Sequence, residues 1–179
     1  MITLGVGDDT SFEIDFDKKK NSKIIQLYDY TVNNILFLKI IAKYFRRLIT
    51  FRTSMNNFTY SISNYINFLK FINKKNVILN EYRVVKKIRN HNDINLEKIF
   101  QKIHNNKNLL KIDIEGSEYE IIDDIISHSS KIKMLIVEFH WINKKKRLFV
   151  KSIKKLKNKF DIIHLHANNY RSLKNNEDI

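Results

Sequence analysis

Acidic and imidazole side chains follow two apolar segments in the second half of the chain. Asp113 and Glu115 lie in the sequence LLKIDIE, and Glu138 and His140 lie in the sequence LIVEFH. The ordinary pKa of a histidine is close to neutrality, so His140 is the first candidate for a general base that removes a hydroxyl proton. Asp113 would orient that base or act as the base itself, and Glu138 competes for the same role.

Short strands and amphipathic helices alternate around these residues. The apolar runs and their spacing predict strands at residues 2–6, 23–28, 109–114, 132–139 and 160–166. Residues 76–85 are either a further strand or a loop. Ile121 and Ile125 share one helical face, as do Phe149, Ile153 and Leu156. Strands that alternate with helices predict a parallel sheet with helices on both faces, and ligands bind at the carboxyl ends of such strands.

The turn after the third predicted strand has its own signals. Gly116 would allow a tight turn, and Ser117 with Glu120 fits a capping box at the start of a helix. We therefore assign Glu118 and Glu120 to helix capping and to the helix dipole. Asp113 and Glu115 precede the turn, so they are left for chemistry.

A glycine turn follows the first predicted strand. Gly5 and Gly7 form this turn, and Asp29 ends the second strand 22 positions after Gly7. This layout is typical of a nucleoside site in which the carboxylate holds the ribose hydroxyls, although glycine pairs also occur by chance. Asp8 and Asp9 would repel the pyrophosphate of a dinucleotide. S-adenosylmethionine carries positive charge and no phosphate, so it is compatible with these residues.

Five segments, in order, resemble FkbM-type methyltransferases, a branch of the class I enzymes that use S-adenosylmethionine: LGVGDDTSFEIDF, IIQLYDYT, NLLKIDIEGSEYEII, LIVEFH and FDIIHLHANNY. The resemblance implies a Rossmann-like sheet and O-methylation of a sugar or glycan hydroxyl. It also implies a cofactor loop at Gly5 and Gly7, ribose binding by Asp29, and a pocket lined by Asp113 and Glu115. The chain begins close to the glycine loop and ends soon after HLHANNY, so we expect a sheet shortened at both ends.

Residues 1–179 are predicted to form one methyltransferase domain. Residues 1–29 would be its cofactor half, residues 30–105 a helical middle, and residues 106–170 the strand-helix core. A methyltransferase-like remnant without activity is the main alternative, and a nucleic-acid methyltransferase is a weaker one.

Charge and composition limit the partners. Lys and Arg outnumber Asp and Glu by 33 to 19, a net charge of +14, but no base-reading motif accompanies this excess. A small-molecule or glycan acceptor is therefore expected, and nucleic acid is not. Residues 33–51 predict a basic amphipathic helix that packs on the core or lies on a membrane. The chain has no cysteine and no signal peptide, which indicates the cytoplasm.

The same sheet edge also offers candidate metal ligands. His164 and His166 alternate near the C-terminus, with Asn168 and Asn169 beyond them. Together with the acidic residues and His140 they offer metal ligands, but two histidines at this spacing are a weak signal. We predict no resident metal, and S-adenosylmethionine as the sole cofactor.

Overall fold

The computed structural model describes residues 1–20, 22–103 and 106–166. Its strands are β1 (Ile2–Leu4), β2 (Ile25–Tyr28), β3 (Val77–Asn80), β4 (Arg83–Val84), β5 (Asp93–Ile94), β6 (Asn108–Ile112) and β7 (Ile132–Val137). Its α-helices are α1 (Ser11–Lys20), α2 (Asn34–Ile49), α3 (Met55–Ile72), α4 (Leu96–Gln101), α5 (Ile122–Ser127) and α6 (Lys146–Leu156). Two short 3-10 turns, Glu118–Glu120 and Ser129–Lys131, flank α5.

Five strands form a parallel sheet in the order β3-β2-β1-β6-β7, and β4 pairs with β5 in a separate ribbon. This is an α/β fold of the Rossmann-like type, as the alternation of strands and helices predicts. The chain divides into two compact units. The first contains Met1 and Val6–Arg83, and the second contains Ile2–Gly5 and the chain from Val84 onward. The single-domain organisation over residues 1–179 stays a prediction.

In the second unit the strands β1, β6 and β7 end at the same level of the sheet. Leu4 pairs with Ile112, and Ile112 pairs with Val137. The residues that follow, Gly5, Asp113 and Glu138, therefore leave the sheet at one edge. Hydrogen bonds from the amide of Asp113 to the Leu4 carbonyl, at 2.8 Å, and from the amide of Glu138 to the Ile112 carbonyl, at 2.9 Å, extend the ladder to these residues.

The first unit is built on the parallel pair β2 and β3 and on the hairpin of α2 and α3. Asn33 and Ser54 cap the two helices through their side-chain oxygens, which accept from the amides of Leu36 and Asn57. Phe37 on α2 is buried against aromatic rings of α3, with ring centroids 5.0 Å from Tyr65 and 4.5 Å from Phe68. The predicted helix at residues 33–51 is thus confirmed.

One strand prediction is wrong and one open alternative is decided. Residues 160–166 form no strand, and Ile163 and Leu165 are 89% and 77% exposed. The alternation of apolar residues is present, but a strand also requires a paired neighbour and burial of one face, and these side chains gain no burial. Residues 76–85 do contain strand structure, the strand β3 and the short strand β4. Among the described helices, none combines the length and apolar character that crossing a membrane requires.

Candidate active site

Asp113 follows β6 at the level strand ends and lies beside Glu138 in register. Its side chain is one-third exposed. Burial, together with the negative charge of Glu138, raises the pKa of Asp113 to about 6, although the nearby His140 opposes the shift. The carboxylate of Asp113 is thus more basic than an ordinary aspartate and still ionised at neutral pH. The structure places Asp113 and Glu138 together, as the sequence predicts.

The turn after Asp113 holds a carboxylate inside the protein. Glu118 is fully buried, and its Oε1 accepts hydrogen bonds from the amides of Ile114, at 3.1 Å, and Gly116, at 3.0 Å. The capping-box prediction is wrong because Ser117 makes no side-chain capping bond and the turn is 3-10 rather than α-helical. Glu118 therefore does not cap an α-helix. Its carboxylate folds back and holds the turn.

His140 lies between Glu118 and two further carboxylates. Its Nδ1 is 2.8 Å from Oε1 of Glu118, and its Nε2 is 3.6 Å from Oδ1 of Asp113 and 3.7 Å from Oε2 of Glu115. The hydroxyl of Tyr119 donates to the His140 carbonyl at 2.7 Å and fixes the backbone. The ring is mostly buried, with its side chain 19% exposed.

The protonation of this pair follows from its contacts. Burial alone would raise the pKa of Glu118, but hydrogen bonds from His140 and from the Gly116 amide hold it below its ordinary value. Glu118 is therefore ionised and Nδ1 of His140 donates to it. The hydrogen bond to Glu118 raises the pKa of His140 to about 8, because it outweighs the opposing effect of burial. Nε2 is left as the atom that exchanges a proton.

The same cluster has the spacing of a metal site. Asp113, Glu115 and His140 each offer one ligand atom, and these atoms lie within 4.8 Å of one another. Among the described residues His164 and His166 are not part of such a group; their rings stack with centroids 6.1 Å apart. Asn168 and Asn169 lie outside the described residues. The three side chains could hold a cation, and a protonated His140 would itself place positive charge 3.6 and 3.7 Å from the two carboxylates.

Gly5 is required where β1 ends beside β6. Its φ is +77°, and a Cβ at this position would lie 1.6 Å from the carbonyl oxygen of Asp113. No side chain fits there, so the loop leaves β1 in direct contact with the backbone of Asp113. The sequence predicts Gly5 for the cofactor loop, and the structure places it against the backbone of a predicted site residue.

Asp29 holds the glycine loop in the first unit. Its Oδ2 accepts from the amides of Val6, at 2.8 Å, and Gly7, at 3.1 Å. Its Oδ1 accepts from the amide and hydroxyl of Thr31, at 2.7 and 2.6 Å. Burial would raise the pKa of Asp29, but the hydrogen bonds from Thr31, Val6 and Gly7 hold it below its ordinary value. The sequence thus places Asp29 correctly beside Gly7, while its ribose contact stays a prediction.

The loop held by Asp29 exposes two further carboxylates to solvent. Gly7 has a φ of +63° and nothing within 4 Å of a Cβ position, so space is open beside it. Asp8 and Asp9 are exposed in this loop. The side chain of Asp9 accepts a hydrogen bond from the amide of Ser11 at 2.9 Å, so the first backbone N–H of α1 already has an acceptor within the protein. Exposed carboxylates and an amide already bonded within the protein are unfavourable for a pyrophosphate.

Two contributions are not predicted from the sequence. Glu118 orients His140, and Thr31 supplies two of the four hydrogen bonds to Asp29. For Glu118 the sequence offers one signal, an acidic residue five positions after Asp113, in the turn by which the chain leaves β6. For Thr31 the only signal is a donor side chain two positions after an aspartate, which is typical of a local turn.

The fold and this arrangement define a Rossmann-like α/β protein with an acid-base cluster at the carboxyl ends of parallel strands. The chain belongs to the FkbM methyltransferase family, because the model of the methyltransferase FkbM domain matches residues 1–172. The family confirms the resemblance seen in the sequence and assigns a methyltransferase domain to the chain. No curated protein and no solved structure matches the chain significantly.

Proposed function

We propose that this methyltransferase uses S-adenosylmethionine and methylates a hydroxyl group, with His140 as the general base. The observation that carries the proposal is the position of the imidazole, with Nδ1 on the buried carboxylate of Glu118 and Nε2 beside Asp113. A base held in one tautomer by a carboxylate is the arrangement that activates hydroxyl groups in many enzymes. The family match supports a methyltransferase. A sugar or glycan hydroxyl as the acceptor is what the resemblance to FkbM-type methyltransferases implies.

The residues would divide the reaction between them. S-adenosylmethionine, when bound, would supply a methyl group on a sulfonium, whose carbon–sulfur bond breaks as the acceptor oxygen bonds to carbon. Nε2 of His140 takes the acceptor proton, and ionised Glu118 stabilises the imidazolium that results. Asp113 lies 3.6 Å from Nε2 and would accept a hydrogen bond from the acceptor or from protonated His140. Glu138 acts through its charge, since it raises the pKa of Asp113.

The predicted cofactor residues would determine the conformation and the negative charge of the glycine loop. Asp29 fixes the amides of Val6 and Gly7, and the open space beside Gly7 would admit the ligand. The exposed Asp8 and Asp9 favour the positive charge of the sulfonium and the amino group over a phosphate. Any ribose hydroxyl bound by Asp29 would share a carboxylate that already accepts four hydrogen bonds. The absence of cysteine supports a cytoplasmic setting.

Calorimetry tests the cofactor first. S-adenosylmethionine and S-adenosylhomocysteine are titrated into the protein, with NAD as the control ligand. Binding of the first two alone supports the proposal. A well-folded protein that binds neither would be the inactive remnant considered above, and binding of NAD alone would contradict the assignment of the loop.

Turnover is tested with radiolabelled S-adenosylmethionine and a panel of sugars and glycans. His140→Asn should keep cofactor binding and lose at least about a hundredfold in turnover, the usual contribution of a general base. Lys157→Asn, an exposed change on the same unit, is the control and should keep the parent rate. Unchanged turnover in His140→Asn would remove His140 as the base.

One feature favours a nucleic-acid acceptor as a second candidate. One side of α6 is a shallow, open and basic surface, and it carries Lys146, Arg147, Lys151, Lys154 and Lys155. Phosphates would bind to such a surface in a salt-dependent way. Two results would identify nucleic acid as the acceptor. The first is a salt-sensitive gel shift that is lost in Lys151→Glu/Lys154→Glu, and the second is methylation of the nucleic acid.

A further inference from the structure

The hairpin of α2 and α3 carries basic residues without acidic ones. Residues 30–80 contain no Asp or Glu, whereas the whole chain contains 19. The basic residues of this segment are Lys39, Lys43, Arg46, Arg47, Arg52, Lys70, Lys74 and Lys75. Five of the eight lie on α2 or in the loop after it. This part of the surface would therefore attract an anionic partner and repel a copy of itself.

An apolar stripe lies on α2 beside these charges. Ile35, Leu38, Phe45 and Ile49 follow one another at helical spacing and are 51% to 61% exposed. The side of the helix that faces α3 is occupied, since Phe37 is buried there, and Phe45 at the edge of the stripe also contacts Phe58 of α3, with ring centroids 5.7 Å apart. Within the first unit α2 thus has an inward apolar face, a basic face and an exposed apolar stripe between them.

The stripe continues into the loop at the end of the hairpin. Phe51 is 97% exposed, and Met55 at the start of α3 is 59% exposed. Phe51 has a φ of +53°, at the position after the cap of α2 where glycine is the usual residue. Its amide donates to the carbonyl of Leu48 at 3.0 Å, and the amide of Arg52 donates to that of Arg47 at 2.8 Å. The chain therefore keeps a bulky aromatic residue in a disfavoured conformation and fully in solvent.

We propose that this stripe, formed by Ile35, Leu38, Phe45, Ile49 and Phe51, binds the surface of an anionic lipid bilayer. An amphipathic helix with basic residues beside apolar ones lies in the bilayer interface, with its apolar side chains among the acyl chains. Phe51 and Met55 would enter first at the tip of the hairpin, while arginines contact lipid phosphates. The proposal is independent of the methyltransferase reaction, because it rests on residues of the first unit that have no role in the acid-base cluster.

Charge decides between a bilayer and a second copy of the chain. The spacing of the stripe would also suit a helix pair, but Lys39, Lys43 and Arg46 flank it and the segment offers no acidic residue to pair with them. A symmetric dimer through α2 would therefore bring like charges together. An anionic bilayer matches both the apolar stripe and its basic border.

Vesicle flotation with the full chain tests the proposal. The protein should float with phosphatidylcholine vesicles that contain phosphatidylserine, not with phosphatidylcholine alone, and rising salt should release it. Arg46→Glu/Arg47→Glu should weaken binding at least about thirtyfold, since each basic residue near the surface contributes about fivefold. Lys133→Glu/Lys159→Glu makes the same change in net charge on exposed residues of the other unit and should have a much smaller effect.

Phe51→Gly separates binding from folding. Glycine suits the positive φ, so this variant should melt no lower than the parent, yet float poorly. Leu148→Ser, which removes a 48% exposed apolar side chain on α6, is the matched control and should float like the parent. Equal flotation with both lipid mixtures, or equal losses in test and control variants, would overturn the proposal. A dimer in solution that Phe51→Gly dissociates, without flotation, would assign the stripe to self-association and would also overturn it.

Discussion

Nδ1 of His140 lies 2.8 Å from Oε1 of Glu118, a carboxylate with no exposure to solvent. The same oxygen accepts the amides of Ile114 and Gly116, so the turn that follows β6 also fixes the ring at the end of β7. The other ring nitrogen faces Asp113 and Glu115. This one contact determines the tautomer, the orientation and the pKa of the candidate base.

Glu118→Gln should lower the pKa of His140 from about 8 toward its ordinary value of 6.5. The amide keeps an acceptor for the backbone but removes the negative charge that stabilises the imidazolium. An NMR titration of the His140 ring in both proteins measures the shift. Glu120→Gln, an exposed change in the same turn, is the control and should leave the titration unchanged. Equal pKa values in the parent and Glu118→Gln would mean that the carboxylate does not control the ring.

The pH profile of turnover distinguishes the two candidate bases. His140 must be neutral to accept a proton, so kcat/KM should rise with pH and level off above about 8, the pKa of the ring. If Asp113 were the base, the rise would instead be centred near pH 6 and nearly complete by about pH 7, since its pKa is about 6. Initial rates across this range, with the acceptor found in the screen, measure the difference. A rise centred near pH 6 that persists in His140→Asn would transfer the role to Asp113.

The sequence predicts the strands better than the contacts between side chains. Apolar runs at residues 109–114 and 132–139 locate β6 and β7, and the rule that parallel strands end at one edge brings Asp113 and His140 together. The role of Glu118 escapes such reasoning, because it depends on a 3-10 turn that folds the side chain inward. Local pattern favours a capping box there, and tertiary contact with His140 overrides it.

In the middle and at the end of the chain, too, the local sequence pattern does not fully determine the structure. The helix α2 is evident from its periodicity, whereas α3 lacks a clear charged stripe and is predicted only as part of the helical middle, without bounds of its own. Residues 160–166 have the alternation of a strand but lack the burial that would stabilise one. Asp29 is located correctly by its distance from Gly7, but its four hydrogen bonds within the protein depend on how the loop folds around it, which no local pattern indicates.

Gly5→Ala should be far more destabilising than Gly7→Ala. Both residues have positive φ, which costs alanine about 1 kcal/mol. At Gly5 the added Cβ would also collide with the Asp113 carbonyl oxygen, whereas at Gly7 it would meet nothing within 4 Å. We expect losses of at least about 3 kcal/mol and about 1 kcal/mol in the free energy of unfolding. Denaturant titration of both variants measures them, and similar losses would contradict the close approach of the two strand ends.

Asp29→Ala should destabilise the protein by about 2–4 kcal/mol, because it leaves the amides of Val6, Gly7 and Thr31 without their acceptor. Thr31→Val removes only the hydroxyl donor and should cost about 1 kcal/mol. Denaturant titration without ligand gives both values. Calorimetry on Thr31→Val, which keeps the carboxylate, then reports cofactor affinity in a folded protein. A normal stability for Asp29→Ala would show that the loop does not depend on this carboxylate and would favour a role in ligand binding alone.

The stability that His140 contributes should depend on pH in a defined direction. Its pKa is raised on folding from 6.5 to about 8, so folding favours the protonated ring. This contribution is complete below pH 6.5 and is lost as the pH rises through 8. His140→Gln removes the titration, so the stability difference between the parent and this variant should shrink by roughly 1–2 kcal/mol between pH 6 and pH 9.

Denaturant titrations of both proteins at a series of pH values give that difference directly. Asn158→Gln is the control, because it changes an exposed residue that does not titrate, and its difference from the parent should stay constant. A difference for His140→Gln that grows with pH would mean that the folded protein prefers the neutral ring. The contact with Glu118 would then be too weak to hold a proton on Nδ1 and Nε2 together, and His140 would already be a free base at neutral pH.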